Sequence, residues 1–236
     1  MSVLNLPRKK PPHTGLRILY RLAKLIPNST GKFRMLLDLE WILYRLSLEQ
    51  AYKEYGDENP TVREHSIYTM LEFVEPNDIV LDLGCKYGYI AYSLSQKAQK
   101  VVGIDFDVEA IEKAKQTYPR ENLHFQSGEA IAYLDSQEET FTCLILSHIL
   151  EHLDDPKAFL QEIATRFNKI YIEIPDFDAN FLNHYRKNVK SKLIYTDIDH
   201  INEFDREDIK KIIEAAGLRI TYSEYIFGVQ KYCCAR

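Results

Sequence analysis

The chain has 236 residues, of which 45% are hydrophobic and 28% charged, a balance that suits one globular domain with a sizeable core. No apolar run reaches the roughly eighteen residues of a spanning helix, and the opening MSVLNLPRKKPPHTG lacks the apolar stretch of a secretory signal, so the protein reads as cytoplasmic. The four cysteines, Cys85, Cys143, Cys233 and Cys234, show no CxxC spacing and argue against both a zinc site and a disulfide framework.

Net charge is −5 but unevenly spread. Residues 1–37 carry eight Lys or Arg and no Asp or Glu, whereas the remainder carries 22 basic and 35 acidic residues. The asymmetry points the N-terminal arm toward something anionic. The acidic body argues against nucleic acid as a partner there.

In chain order, the first dozen residues, with Pro7, Pro11 and Pro12, read as an arm. Residues 15–26 predict an amphipathic helix: Arg17, Arg21 and Lys24 share one face, and Leu16, Leu19, Leu22, Ala23 and Ile26 fill another. Such a helix either lies on an anionic membrane surface, as a peripheral contact, or packs on the body with its basic face to water. A second helix spans 32–54, and a third lies near 61–73 after a Gly-Asp-Glu-Asn-Pro loop. The N-terminal arm and helices (1–60) thus precede a second unit (61–236). From residue 78 short apolar strands (79–84, 100–105, 123–128, 141–147 and 169–175) alternate with helices near 89–97, 107–117, 129–134 and 156–167. Continuously apolar strands separated by helices predict an α/β fold with a doubly wound, mostly parallel sheet. A long stretch, 177–204, leads to a helix at 206–216 and two strands, 218–224 and 226–235, close enough to form a hairpin.

The first strand runs into Val80-Leu81-Asp82-Leu83-Gly84-Cys85-Lys86-Tyr87-Gly88. A Gly-rich turn after a first strand lets the backbone approach a ligand. Lys86 breaks the G-x-G-x-x-G spacing of dinucleotide enzymes, and Asp82 repels a pyrophosphate but suits a cationic ligand. Asp105, about twenty residues on, is placed to accept from a ribose diol. Glu129, in Ser127-Gly128-Glu129-Ala130, is placed to accept from an adenine amino group. Three carboxylates on successive strand ends form a stronger pattern than any one alone.

These segments, with VVGIDFDVEAIEKAK and FTCLILSHILEHLDDPKAFLQEI, resemble the successive motifs of class I S-adenosylmethionine-dependent methyltransferases from about residue 62 onward. The resemblance implies a Rossmann-like, seven-stranded sheet with an antiparallel C-terminal hairpin. It also implies S-adenosylmethionine as cofactor, with Asp82, Gly84, Cys85, Lys86 and Gly88 around its methionine part and Asp105 on the ribose. Phe106, Glu129 and Ala130 would lie near the adenine, and Ser147 would lie at the next strand end. Lys86 departs from the Gly often found there. If that position needs φ > 0, a Lys costs about 1 kcal/mol, and a non-catalytic binding module stays in play.

Methyl transfer needs an aligned acceptor and often a base. His148, Glu151 and His152 follow the fourth strand at spacings that share a helical face, and His200 lies far downstream. One reading makes His152 or His200 a general base. The other gathers His148, Glu151, His152 and His200 around a divalent metal. His148-x-x-Glu151-His152 followed by Asp199-His200 resembles the metal pattern of RNA 3′-end ribose methyltransferases, with His148 in place of their first Glu. The same segment is similar to quinone-pathway catechol methyltransferases. The aromatic and basic stretch 181–200 falls where this family builds its acceptor pocket and suits a phosphorylated sugar or lipid carrier. Together these features predict O-methylation of a small-molecule or glycan acceptor, foremost a sugar hydroxyl of a surface glycan or its precursor. The sequence assigns no oligomeric state.

Overall fold

A computed structural model of the chain describes residues 14–55, 60–136, 140–197 and 199–236; the N-terminal arm, residues 1–13, lies outside them. Three helices open the chain: α1 (Thr14–Leu25), α2 (Thr30–Tyr55) and α3 (Pro60–Phe73). An alternating series follows, with β1 (Ile79–Leu83), α4 (Tyr89–Leu94), β2 (Lys100–Asp105), α5 (Val108–Thr117), β3 (Leu123–Ser127), α6 (Ala130–Ser136), β4 (Cys143–Ser147), α7 (Pro156–Ile163) and β5 (Lys169–Pro175). The chain closes with α8 (Leu182–Asn188), α9 (Arg206–Ala215), β6 (Arg219–Ile226) and β7 (Val229–Ala235).

The seven strands form one sheet in the order β3-β2-β1-β4-β5-β7-β6. The first five run parallel, and β7 inserts antiparallel between β5 and β6. Alternate residues of each central strand enter different cores, because side chains alternate across a sheet. Leu81, Val102, Leu144 and Ile172 pack with α7 and α9 on one face. Val80, Val101, Ile145 and Tyr171 pack with α3, α4 and α5 on the other. Strand order reverses between β1 and β4, which opens a crevice above their C-terminal ends.

Local chemistry explains the boundaries. Asp107 caps α5 by accepting from the Glu109 and Ala110 N–H groups at 3.0 and 3.1 Å. Asp155 caps α7, with Pro156 in the first turn. Strand β4 starts at Cys143 rather than 141, and just before it the Thr142 hydroxyl engages Asp78 at 2.8 Å and the Ile79 N–H at 3.0 Å. The helix expected over 156–167 tightens to a 3-10 turn after Ile163. The final strands meet at Phe227 and Gly228, both at positive φ (54° and 79°), which is the requirement of a two-residue hairpin turn. The stretch 177–204 holds a helix, α8, that its sequence pattern did not reveal.

One expectation is overturned. A helix over 15–26 that packs on the body would bury its apolar face, yet in α1 every described side chain except Ala23 is exposed. Helix α2 is attached instead, through Leu37 in the core. Its apolar residues Leu36, Leu39, Leu43 and Leu46 stay exposed. No helix among the described residues is long and apolar enough to cross a membrane.

Candidate active site

The loop after β1 is built on left-handed residues. Gly84 and Gly88 have φ of 76° and 82°, and Lys86 between them has φ of 47°. A side chain at Gly84 would run into Ile149 of the loop after β4, and one at Gly88 would meet Phe125 at 2.5 Å. Glycine is therefore favoured by φ at both positions, and at Gly88 also by the space that the Phe125 ring and Ala114 leave. Lys86 occupies the strained conformation that the sequence made conditional. Its side chain reaches the exposed Tyr87 ring, with Nζ 5.5 Å from the centroid.

Asp105 ties the first two strand ends together. Its Oδ2 accepts from the Lys86 N–H and its Oδ1 from the Asp107 N–H, both at 2.9 Å. The Gly128 N–H donates to the Asp105 carbonyl at 3.0 Å, which brings the end of β3 alongside. Phe106, Glu129 and the half-buried Ala130 follow these ends, with Phe106 and Glu129 exposed. Cys85 is buried, and burial pushes its thiol up beyond any physiological range, so it is a packing residue rather than a nucleophile.

Asp82 is the outlier. Its carboxylate is buried, and Oδ2 has no hydrogen-bond partner. Burial pushes its pKa up to about 7; an Ala91 N–H hydrogen bond opposes the rise and the Asp105 charge adds to it. An orphaned buried carboxylate beside an open glycine loop invites a cationic ligand.

The second constellation lies past β4. Ser147 ends that strand, half-buried, and His148 follows in a left-handed conformation with φ of 56°. The left-handed turn takes His148 out of the short 3-10 helix Leu150–His152, so it does not share a helical face with Glu151 and His152. Its Nδ1 lies 3.0 Å from Glu151 Oε1 and its Nε2 3.7 Å from Glu173 Oε1. Glu173 is itself buried and accepts from the Tyr171 hydroxyl at 2.7 Å. Desolvation of the partly exposed imidazole works against its charge, but hydrogen bonds and charge from Glu151 and Glu173 outweigh it and push the His148 pKa up to about 10. His148 lies outside the group of ligand atoms that come together past β4, and its two ring nitrogens face Glu151 and Glu173 instead.

The other three residues expected at a metal do converge. Ligand atoms of Glu151, His152 and His200 lie within 4.8 Å of one another. Backbone pairing makes this possible across the chain: the Ile201 and Asn202 N–H groups both donate to the Glu151 carbonyl at 3.0 Å. His152 Nδ1 faces the Asp199 carbonyl at 3.2 Å. His200 Nδ1 faces Thr196 Oγ1 and Glu203 Oε1 at 3.0 and 3.1 Å. With both Nδ1 atoms held by oxygen, each ring presents Nε2. Burial lowers the His200 pKa, but the Glu203 carboxylate prevails and raises it. Glu151 Oε2 is buried and unpartnered.

These histidines line a cavity of 840 Å³ that also takes in Trp41, Arg45, Asp176 and Asn180. Helix α2 forms one wall because it is bolted to the segment after α8. Trp41 Nε1 donates to the Tyr195 carbonyl and Arg45 to the Thr196 carbonyl, both at 3.0 Å, and Arg45 also pairs with Asp197 at 2.9 Å. Nothing in the residue pattern of α2 marks it as a wall of this cavity. Its chemistry-bearing residues sit among leucines, more than 130 positions from the segment they face. Arg186, expected among the phosphate-binding residues, is buried and spent on Glu40, Asn183 Oδ1 and the Leu37 carbonyl.

A model of the methyltransferase domain family matches residues 49–223. A probable S-adenosylmethionine-dependent methyltransferase of Mycolicibacterium smegmatis is 26% identical over 118 residues, 50% of this chain and 45% of that protein. The ubiquinone biosynthesis O-methyltransferase of Vibrio cholerae is 30% identical over 94 residues, 36% of each chain. The chain thus spans less than half the length of these curated relatives. Among solved structures, magnesium protoporphyrin IX methyltransferase of Synechocystis PCC 6803, with bound S-adenosylhomocysteine, shares the fold at a TM-score of 0.53 and 14% identity, covering 94% of both chains. The chain belongs to the methyltransferase domain family and has the fold of class I S-adenosylmethionine-dependent methyltransferases.

Proposed function

We propose that this enzyme methylates a hydroxyl of a polyhydroxylated ring, a sugar of a surface glycan or its precursor, held in the α2-walled cavity against a divalent cation at Glu151, His152 and His200. The observation that carries the reading is the unpartnered Glu151 Oε2 beside two histidines whose Nδ1 atoms are already occupied. One carboxylate and two imidazoles suit a divalent ion that keeps positions open for ligand oxygens. When bound, such an ion lowers the pKa of a hydroxyl it touches. Two hydroxyls of a diol are the natural occupants of open positions.

On the cofactor side, Asp82 Oδ2 is placed for the methionine ammonium and the left-handed turn at Gly84–Gly88 admits the chain beside it. Asp105, whose oxygens each hold one backbone N–H, retains lone pairs for the ribose diol. Phe106, Glu129 and Ala130 frame the adenine. The methyl group leaves sulfur as the C–S bond breaks and joins oxygen as the C–O bond forms, and the acceptor proton is released. The cavity wall carries Glu40, Glu49, Asp176, Asp197 and Asp199 with Arg45 and Arg186; Arg45 is paired with Glu49 and Asp197, Arg186 with Glu40, and Asp176 with Arg206, so both wall arginines are already engaged. A wall so charged favours a neutral polyol over a phosphorylated or nucleic-acid acceptor. Trp41 and Tyr44 supply flat apolar surface for a ring. The ubiquinone relative supports transfer to oxygen and makes a catechol the nearest alternative.

The test is incubation with methyl-labelled S-adenosylmethionine and separate pools of glycan precursors, catechols and RNA, with and without chelator. Label in the glycan pool that chelator abolishes and Mn²⁺ or Mg²⁺ restores is expected. Label confined to catechols or RNA overturns the acceptor. Turnover indifferent to chelator and metal overturns the cation site and leaves His152 as general base.

A further inference from the structure

Every described side chain of α1 except Ala23 is exposed, and the helix's chemistry is sorted by face. At about 100° per residue, Ile18, Leu19, Leu22 and Leu25, with Ile26 just past its end, occupy one half of the cylinder; Arg17, Arg21 and Lys24 occupy the opposite side. Leu25 is 78% exposed and Leu19 63%, so the apolar half faces solvent rather than protein. Just beyond the helix, Phe33 and Tyr185 meet edge to face at 5.7 Å and Phe181 joins Tyr185 at 6.1 Å. All three rings are partly or largely exposed.

We propose that α1 is an interfacial helix that seats the enzyme on an anionic lipid bilayer. Its apolar half enters the acyl boundary, Arg17, Arg21 and Lys24 lie among the headgroup phosphates, and the aromatic trio rests at the same level. Charge complementarity commits the surface to this occupant. No acidic residue occurs in residues 1–37, against eight basic ones, and the rest of the chain carries 13 more acidic than basic residues. An anionic surface therefore draws the helix down and holds the body off, which fixes orientation as well as affinity. Two copies of α1 repel one another for want of any acid. Nucleic acid would use the cations and leave the apolar half in water.

The proposal does not depend on the acceptor, because its readout is binding and needs no turnover. The full chain is sedimented with vesicles of phosphatidylcholine alone and of phosphatidylcholine with about one-third phosphatidylglycerol. Strong partition to the anionic vesicles alone is expected, weakening as salt rises. The Arg17→Gln/Arg21→Gln/Lys24→Gln variant loses about a hundredfold in partition, at about fivefold per basic residue, and Leu19→Glu/Leu22→Glu loses it as well. S-adenosylmethionine binding and melting temperature serve as folding controls and stay unchanged, since the substituted side chains are all exposed. Equal binding to both vesicle types, or variants that sediment like the parent, overturns the proposal. So does a dimer in light scattering that the α1 variants abolish, or RNA binding that only the charge variant loses.

Discussion

His148 Nδ1 lies 3.0 Å from Glu151 Oε1, and the other oxygen of that carboxylate, Oε2, is buried without a partner. The two oxygens are thereby divided: one is anchored by an imidazolium, the other is offered to a ligand. His148 sits one step behind the site and orients Glu151. Glu151→Gln should cost at least about a hundredfold in kcat with cofactor affinity intact. His148→Gln should weaken metal affinity by about 10–100-fold, and saturating Mn²⁺ should restore much of its turnover. Isothermal titration with metal separates the two. Equal, unrescued losses in both variants would contradict the anchoring role.

The His148 pKa also predicts a pH dependence of stability. Its folded value, about 10, stands above the unfolded value of about 6.5. The contribution is therefore complete below the unfolded value and disappears as pH rises through about 10. The ring is 43% exposed, so water screens part of the pull and about 1 kcal/mol is expected. Urea unfolding at pH 7 and pH 10 should show the parent losing more stability than His148→Gln over that interval. Parallel losses would refute the prediction.

Asp82 behaves in the opposite sense. Its pKa, raised to about 7 by burial, means that the folded state holds a proton the unfolded chain has released between about pH 4 and 7. Stability falls as pH rises across that window. Cofactor binding, which needs the carboxylate, should strengthen over the same range. Asp82→Asn should raise the stability of the cofactor-free protein at pH 8 by about 2–3 kcal/mol and weaken S-adenosylmethionine binding. A Kd that is flat from pH 6 to 8 would rule out an ammonium contact.

Lys86 holds φ at 47°, a conformation glycine adopts without strain. Its side chain is exposed and its N–H supports Asp105, a contact any residue makes. Lys86→Gly should stabilise the protein by about 1 kcal/mol, a rise of about 2–4 °C in Tm, with cofactor affinity unchanged. A fall in Tm would show that the Lys86 contact with the Tyr87 ring matters more than the strain.

The sheet was legible because its code is local. Runs such as Val80–Leu83 and Ile170–Ile174 are apolar apart from one carboxylate each, Asp82 and Glu173, and each is followed by a capping or glycine signal. The motif residues of the cofactor crevice arrive at strand ends, where spacing alone places them. Two things were not legible. Whether residue 148 continues the helical face depended on one backbone angle, and the left-handed turn gave His148 to Glu173, a strand residue that reads as core. The α2 wall depended on pairings such as Trp41 with the Tyr195 carbonyl, for which periodicity carries no information.

The acceptor segment is fastened by main-chain atoms at both ends. The Asp176 N–H donates to the Gly228 carbonyl at 2.8 Å at its start, and the Ile201 and Asn202 N–H groups grip Glu151 at its finish. Such clamps do not read side chains. A change of side chain between the clamps can therefore alter the cavity lining while these main-chain bonds keep His200 beside His152.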